Sequence, residues 1–154
     1  MLTDHHINVV KSTVPLLENA GPELTNHFYK RMFLHNPEVK DIFNMSNQHS
    51  GRQQFALFEA IAAYAKNITN LEVLSSSVER IAHKHTSLNI QEKHYSIVGH
   101  HLIETLRELG GDAFTMEVEQ AWGSAYQFLA QIFVNRESEL YNQTEQRTGG
   151  WTGA

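Results

Sequence analysis

The chain contains no cysteine, and that absence removes several chemistries together: disulfide scaffolds, thiolate zinc sites, iron–sulfur clusters and cysteine nucleophiles. Proline is almost as scarce, at three residues in 154, and the nine glycines are scattered. No stretch therefore reads as a flexible linker or a low-complexity tract. No apolar run approaches the length that spans a bilayer. The N-terminus carries Asp4, His5 and His6 where a secretory signal would place basic residues ahead of an apolar segment. The default expectation is a soluble cytoplasmic domain. Positive charge is also lacking. With a formal net charge of −5 and no lysine–arginine cluster, the chain offers no basic face for nucleic acid. Strand signals are missing too, since no alternating Val/Ile/Thr run ends in a two-residue turn. Neither an internal repeat nor a glycine-rich dinucleotide fingerprint occurs.

What is present is helical periodicity over a length that suits one domain with one core. A first helix follows Thr3 and runs toward Ala20, where Gly21 stops it; Pro15 offers a kink or an early end near Val14. Pro22 suits the first position of a second helix reaching about His35. Pro37 opens a short third one ending near Phe43. Residues 44–51, NMSNQHSG, read as a polar loop. Helices are expected over 52–67 and 71–85, then a break over 86–90, then a helix over 91–109 closed by Gly110 and Gly111. The last helix starts near Thr115 and passes Tyr141, with Gly149 and Gly150 expected to end it. The fold class is all-α.

Ten histidines are many for this length. Taken singly, a histidine is more often solvated or hydrogen-bonded than a metal ligand. His5, His6, His49, His100 and His101 sit in polar stretches or adjacent pairs and are expected at the surface. Position singles out one residue. The apolar stripe Leu74, Val78, Ile81 continues onto His85, which places His85 on the buried face while His83 falls off it. Two other stripes also carry a polar residue. Tyr95 heads Val98, Leu102, Leu106 and Leu109, and Glu137 follows Trp122, Tyr126, Leu129 and Phe133.

An unpaired carboxylate or imidazole is costly to bury. The simplest relief is for His85, Tyr95 and Glu137 to meet, because a metal-bound histidine commonly gives its other N–H to a carboxylate. Equally compatible with periodicity is a Glu137 that snorkels to solvent and a Tyr95 at an amphipathic edge. A bare metal site fits poorly, since one His and one Glu fall short of the ligands that zinc takes. Haem needs only one protein ligand, together with an apolar slot. Phe28, Met32, Phe43, Leu57, Ile61, Ile81, Val98, Leu102, Tyr126 and Leu129 would line a slot, and the same residues would equally make a plain helical core.

The chain resembles a globin, and more narrowly the haem domain of the bacterial flavohaemoglobins. The likeness rests on FYKRMFLHNPEV with Tyr29, DIFNMSNQ with Phe43, the Gln53 and Leu57 pair, IAHKHTS with His85, HYSIVGHHL with Tyr95, and AWGSAYQFLAQIFVNRESELY with Glu137. Each segment is moderately specific alone; together and in order they are highly specific. The resemblance implies a globin fold around a haem b pocket with His85 as the iron's axial ligand. It implies Tyr95 and Glu137 as a hydrogen-bonded relay behind that ligand, and Tyr29 as the donor to bound O2. Gln53 lies near Tyr29, Leu57 over the iron and Phe43 against the porphyrin face. Lys84 resembles the lysine that the family places at the haem edge facing the flavin domain.

The implied activity is nitric oxide dioxygenation, in which NO and O2 give nitrate on the His85-ligated haem. The electrons come from a reductase domain that uses FAD and NAD(P)H. The alternative is a single-domain haemoglobin that binds O2 for storage or delivery. Water, a lipid or an endogenous side chain are open as occupants of the distal position. Residues 1–147 are assigned to the globin domain. The GGW at 149–151 resembles the start of the flavin domain's first segment, so residues 148–154 are assigned to a linker toward a reductase, and a fragment is expected.

Overall fold

The computed structural model describes the backbone of residues 2–44 and 52–152 and the side chains of residues 2–42 and 57–143. The expected polar loop over 44–51 lies almost wholly outside the described residues. Among them the chain forms α1 (Asp4–His35), α2 (Lys40–Asn44), α3 (Arg52–Lys66), α4 (Ser75–Ser87), α5 (Glu92–Gly110) and α6 (Met116–Thr152), and no strand. Short 3₁₀ turns, Pro37–Val39, Leu71–Leu74 and Gly111–Ala113, lead into α2 and α4 and follow α5.

Local chemistry sets most of the boundaries. The Thr3 hydroxyl accepts the His6 N–H at 3.1 Å and the Thr3 N–H donates to His6 Nδ1 at 3.3 Å, a reciprocal cap on the first turn of α1. The two helices expected on either side of Gly21 are both present and meet at a kink at that residue, together making up α1. Gly21 adopts φ 45° and ψ −123°, a combination that only glycine takes without strain. Pro15 causes no such break, and the helix runs through it with helical dihedrals. At the start of α5 the Gln91 N–H donates to His94 Nδ1 at 2.8 Å, so His94 is spent on capping.

Three expectations need correction. The segment expected to be helical over 71–85 opens as a 3₁₀ turn and then continues as α4 to Ser87, because Thr86 and Ser87 return their hydroxyls to the carbonyls of His83 and Lys84. Gly149 and Gly150 do not end α6, which is continuous to Thr152. Glycine weakens a helix by about 1 kcal/mol relative to alanine but does not forbid its dihedrals. Finally, His101 is buried.

The main core joins α1, α3, α5 and α6 through Val10, Phe28, Met32, Ala65, Leu102 and Trp122. Two buried polar pairs cross it: the Trp122 indole N–H donates to Thr13 and the Tyr64 hydroxyl to the Ala125 carbonyl, each at 2.8 Å. A smaller cluster of Ala82, Phe133 and Leu140 packs α4 on α6. No helix among the described residues is long and apolar enough to cross a membrane.

Candidate functional site

Three helices converge where α4 meets α5 and α6, and each brings one polar side chain. His85 Nδ1 lies 2.8 Å from the Tyr95 hydroxyl oxygen and 3.0 Å from Glu137 Oε2. Tyr95 in turn donates to Glu137, its oxygen 2.7 Å from Oε2 and 2.9 Å from Oε1. The proton positions follow from donor capacity. The Tyr95 hydroxyl has one proton, and an ionised carboxylate only accepts. With that proton on the Tyr95–Glu137 bond, both groups facing Nδ1 are acceptors, so Nδ1 carries the ring hydrogen. Nε2 then holds a lone pair, and it has no hydrogen-bond partner among the described residues.

Burial strengthens the arrangement. Glu137 is 3% exposed, and Tyr95 and His85 are its means of staying satisfied at that depth. Burial raises the Tyr95 pKa well above the usual tyrosine value, and its hydrogen bond to Glu137 raises it further, so Tyr95 acts as a neutral donor. The His85 side chain is 26% exposed, which leaves an edge of the ring open beyond the relay.

Neighbouring residues orient the three groups. Phe133 stacks on Tyr95, with centroids 6.4 Å apart and an interplanar angle of 16°, and packs on His85 at 5.8 Å. Tyr126 donates from its hydroxyl to the Tyr95 carbonyl at 2.8 Å. A β-carbon built on Gly99 would lie 2.6 Å from Tyr126 Cε2, so this close crossing of α5 and α6 depends on glycine. The Tyr141 hydroxyl donates to the Ile90 carbonyl at 2.7 Å and ties the α4–α5 turn to α6. Phe133 and Tyr126 share the Glu137 stripe, which was their signal. Gly99, in mid-helix, had none.

The remaining expected residues lie elsewhere. Tyr29 is 3% exposed in the second half of α1, edge-on to Phe28 at 5.0 Å. Burial raises its pKa too, so its hydroxyl stays protonated. Leu57 is half-buried against the main core. The side chains of Phe43 and Gln53 lie outside the described residues. Lys84 is exposed in the last turn of α4, and His83 is exposed beside Glu79 at 3.1 Å.

His101, expected at the surface, is 1% exposed. Its Nδ1 accepts from Arg31 at 3.0 Å and its Nε2–H donates to Asn36 Oδ1 at 2.7 Å. This joins α5 to the end of the helix that carries Tyr29. Burial, then the positive potential of His100, Arg31 and His35, pushes its pKa down to about 4. The spacing Val98, His101, Thr105 is the signal that marks an inward face, and the adjacent exposed His100 obscured it.

Comparison with known proteins agrees with this architecture. The family model described as Globin matches residues 26–133. A flavohemoprotein of Vibrio cholerae is 68% identical over 151 residues, 98% of this chain, and the chain spans 38% of its length. A bacterial globin structure from Campylobacter jejuni superposes with a TM-score of 0.83 at 41% identity, covering 91% of this chain and 99% of that one. A flavohemoglobin from Malassezia yamatoensis, determined with bound FAD and heme, gives 0.83 at 31% identity, covering 92% of this chain and 38% of its own.

Proposed function

The chain belongs to the globin family, and from that footing we propose that His85 Nε2 ligates the iron of one haem b in a domain that activates O2. The full activity proposed is nitric oxide dioxygenation, NO and O2 giving nitrate, with electrons from a reductase domain that uses FAD and NAD(P)H. The flavohemoprotein and flavohemoglobin relatives support that partner.

The donor chemistry fits haem. One imidazole presents a lone pair at Nε2, and no group of three or more His, Asp or Glu that could hold a metal occurs among the described residues. A macrocycle that brings its own equatorial nitrogens suits such a site. When bound, haem supplies the iron, its redox chemistry and the open position where O2 meets NO.

The observation that carries the reading is the 3.0 Å contact between His85 Nδ1 and the buried Glu137 carboxylate. A carboxylate drawing on the Nδ1–H gives the imidazole imidazolate character and makes Nε2 a stronger electron donor. That character favours oxygen activation over reversible carriage. Tyr95 lies within hydrogen-bond distance of both oxygens of the same carboxylate and so fixes its orientation. Tyr29, its hydroxyl proton retained, would offer a hydrogen bond to a ligand of the iron, and Phe43, Gln53 and Leu57 would help to hold the haem and its ligand. Lys84 is proposed to mark the exposed edge toward the reductase.

The experiment is stopped-flow mixing of the oxygenated protein with NO. Rapid conversion to the ferric form with one equivalent of nitrate per haem is expected. Formation of the ferrous nitrosyl at the rate of O2 dissociation, without nitrate, would mean that NO merely replaces O2. That outcome would favour the second reading, an oxygen-binding haemoglobin, which draws support from the Campylobacter globin that this chain covers almost entirely.

A further inference from the structure

Helix α4 carries His85, yet few of its residues are fully buried. Ala82 alone among its residues is buried, and no side chain caps its N-terminus at Leu74. The helix packs on α6 through Ala82, Phe133 and Leu140, with Val78, Ile81 and Leu129 partly buried against them, and Leu129 links this cluster to the main core. Toward the start of α4 the two helices border a cavity of about 370 Å³, walled by Tyr64, Leu74, Val78, Leu129 and Ile132. At the rim of that cavity Glu79 of α4 meets Arg136 of α6. Arg136 Nε donates to Glu79 Oε2 at 2.8 Å, and Nη2 donates to Oε1 at 2.5 Å.

We infer that Glu79 and Arg136 are a positioning pair that fixes where α4 lies along α6 and thereby sets the His85–Glu137 hydrogen bond. The inference rests on the reading of His85 as the iron ligand. Three features lead to it. The guanidinium fork and the carboxylate meet through two parallel bonds, a geometry that tolerates little sliding of one helix past the other. The open pocket beside the pair, bordered by Ser75, Val78, Leu129 and Ile132, leaves the first turns of α4 without close packing on α6 at that point. Arg136 also adjoins Glu137 in the chain, while Glu79 lies less than two turns before His85, so displacement of the pair is passed directly to the relay. Both ends of the fork are steadied from outside: Arg136 Nη1 donates to Glu139 at 2.8 Å, and His83 Nε2 lies 3.1 Å from Glu79. Half-exposed ion pairs contribute little to global stability, so the effect of this one is register.

The test uses Glu79→Gln, Arg136→Gln and the double variant, read by the ferrous iron–histidine stretch of the haem-loaded protein and by amide exchange along α4 with and without haem. Each single variant should lower and broaden the stretch, in the direction that Glu137→Gln does. Each should also speed α4 exchange by about two- to fivefold, with haem content unchanged. The double variant should be no worse than either single one, because the two residues act as a unit. An unchanged stretch in either single variant, or additive effects in the double, overturns the inference. Should the parent protein fail to load haem through His85, the ligand reading falls, and the inference with it. Exchange in the apoprotein then still shows whether the pair holds α4.

Discussion

Glu137 and His85 stand 52 positions apart in the chain, yet their side chains meet at 3.0 Å with Glu137 almost fully enclosed. Removing only the charge should expose what this contact does. In Glu137→Gln the haem should be retained, the ferrous iron–histidine stretch should fall, and the ferric/ferrous potential should rise as the imidazole loses imidazolate character. Resonance Raman and redox titration measure both. If neither moves, Glu137 serves only to satisfy a buried donor.

His85→Ala should abolish stable haem retention, while His83→Ala and His94→Ala should keep it. His83 is exposed and paired with Glu79, and His94 caps α5; neither joins the Tyr95–Glu137 relay that orients His85. Haem titration of the purified apoproteins separates the three. A normal five-coordinate ferrous spectrum in His85→Ala would falsify the assignment.

Tyr29→Phe should speed O2 dissociation by about tenfold to a hundredfold, the kinetic equivalent of losing one hydrogen bond of roughly 1–3 kcal/mol to a polar ligand. CO, with less charge separation, should respond far less. Flash photolysis with both gases decides the matter: equal effects would show that the Tyr29 ring acts by bulk.

Gly99→Ala reverses the usual helix rule. In an open helix the change stabilises by up to about 1 kcal/mol. Here the new carbon would fall 2.6 Å from the Tyr126 ring, and overpacking of that kind costs about 1–3 kcal/mol. Denaturant unfolding should therefore show a net loss of stability, accompanied by disturbance of the relay through the Tyr126–Tyr95 contact. A more stable variant would mean that Tyr126 swings aside freely.

His101 makes stability fall in acid. Its pKa of about 4 in the fold lies below the roughly 6.5 of an unfolded histidine, so the unfolded chain binds more protons between those values. The stability it contributes is complete above about pH 6.5 and is lost as pH falls toward 4. Arg31, His35 and His100 oppose its protonation, and only Glu104 favours it. Unfolding free energies measured from pH 7 to 4.5 should show a shallower acid slope in His101→Gln than in the parent. Parallel slopes would remove His101 from the account.

Much of this architecture was legible before any coordinates, because helices announce themselves by period and by their ends. The cap at Thr3, the break at Gly21, the short element after Pro37 and the histidine on the α4 stripe each follow from chemistry within a few residues. Where the local signals were weak, the expectation slipped: Gly149 and Gly150 permit helix as well as ending it, and two hydroxyls carried α4 past His85.

The sequence alone determined an all-α chain without thiol chemistry, and it marked His85, Tyr95 and Glu137 as polar groups on apolar faces. Whether those groups would meet was beyond it, since periodicity gives the face of a helix but not its neighbour. The tertiary structure decided that through packing: Gly99 lets α5 and α6 cross closely, Phe133 fills the angle between Tyr95 and His85, and Glu79 grips Arg136. It also buried His101, which an adjacent histidine had made look like surface. Contacts between helices distant in the chain depend on the summed shape and charge of many side chains. They therefore become visible only when the helices are assembled.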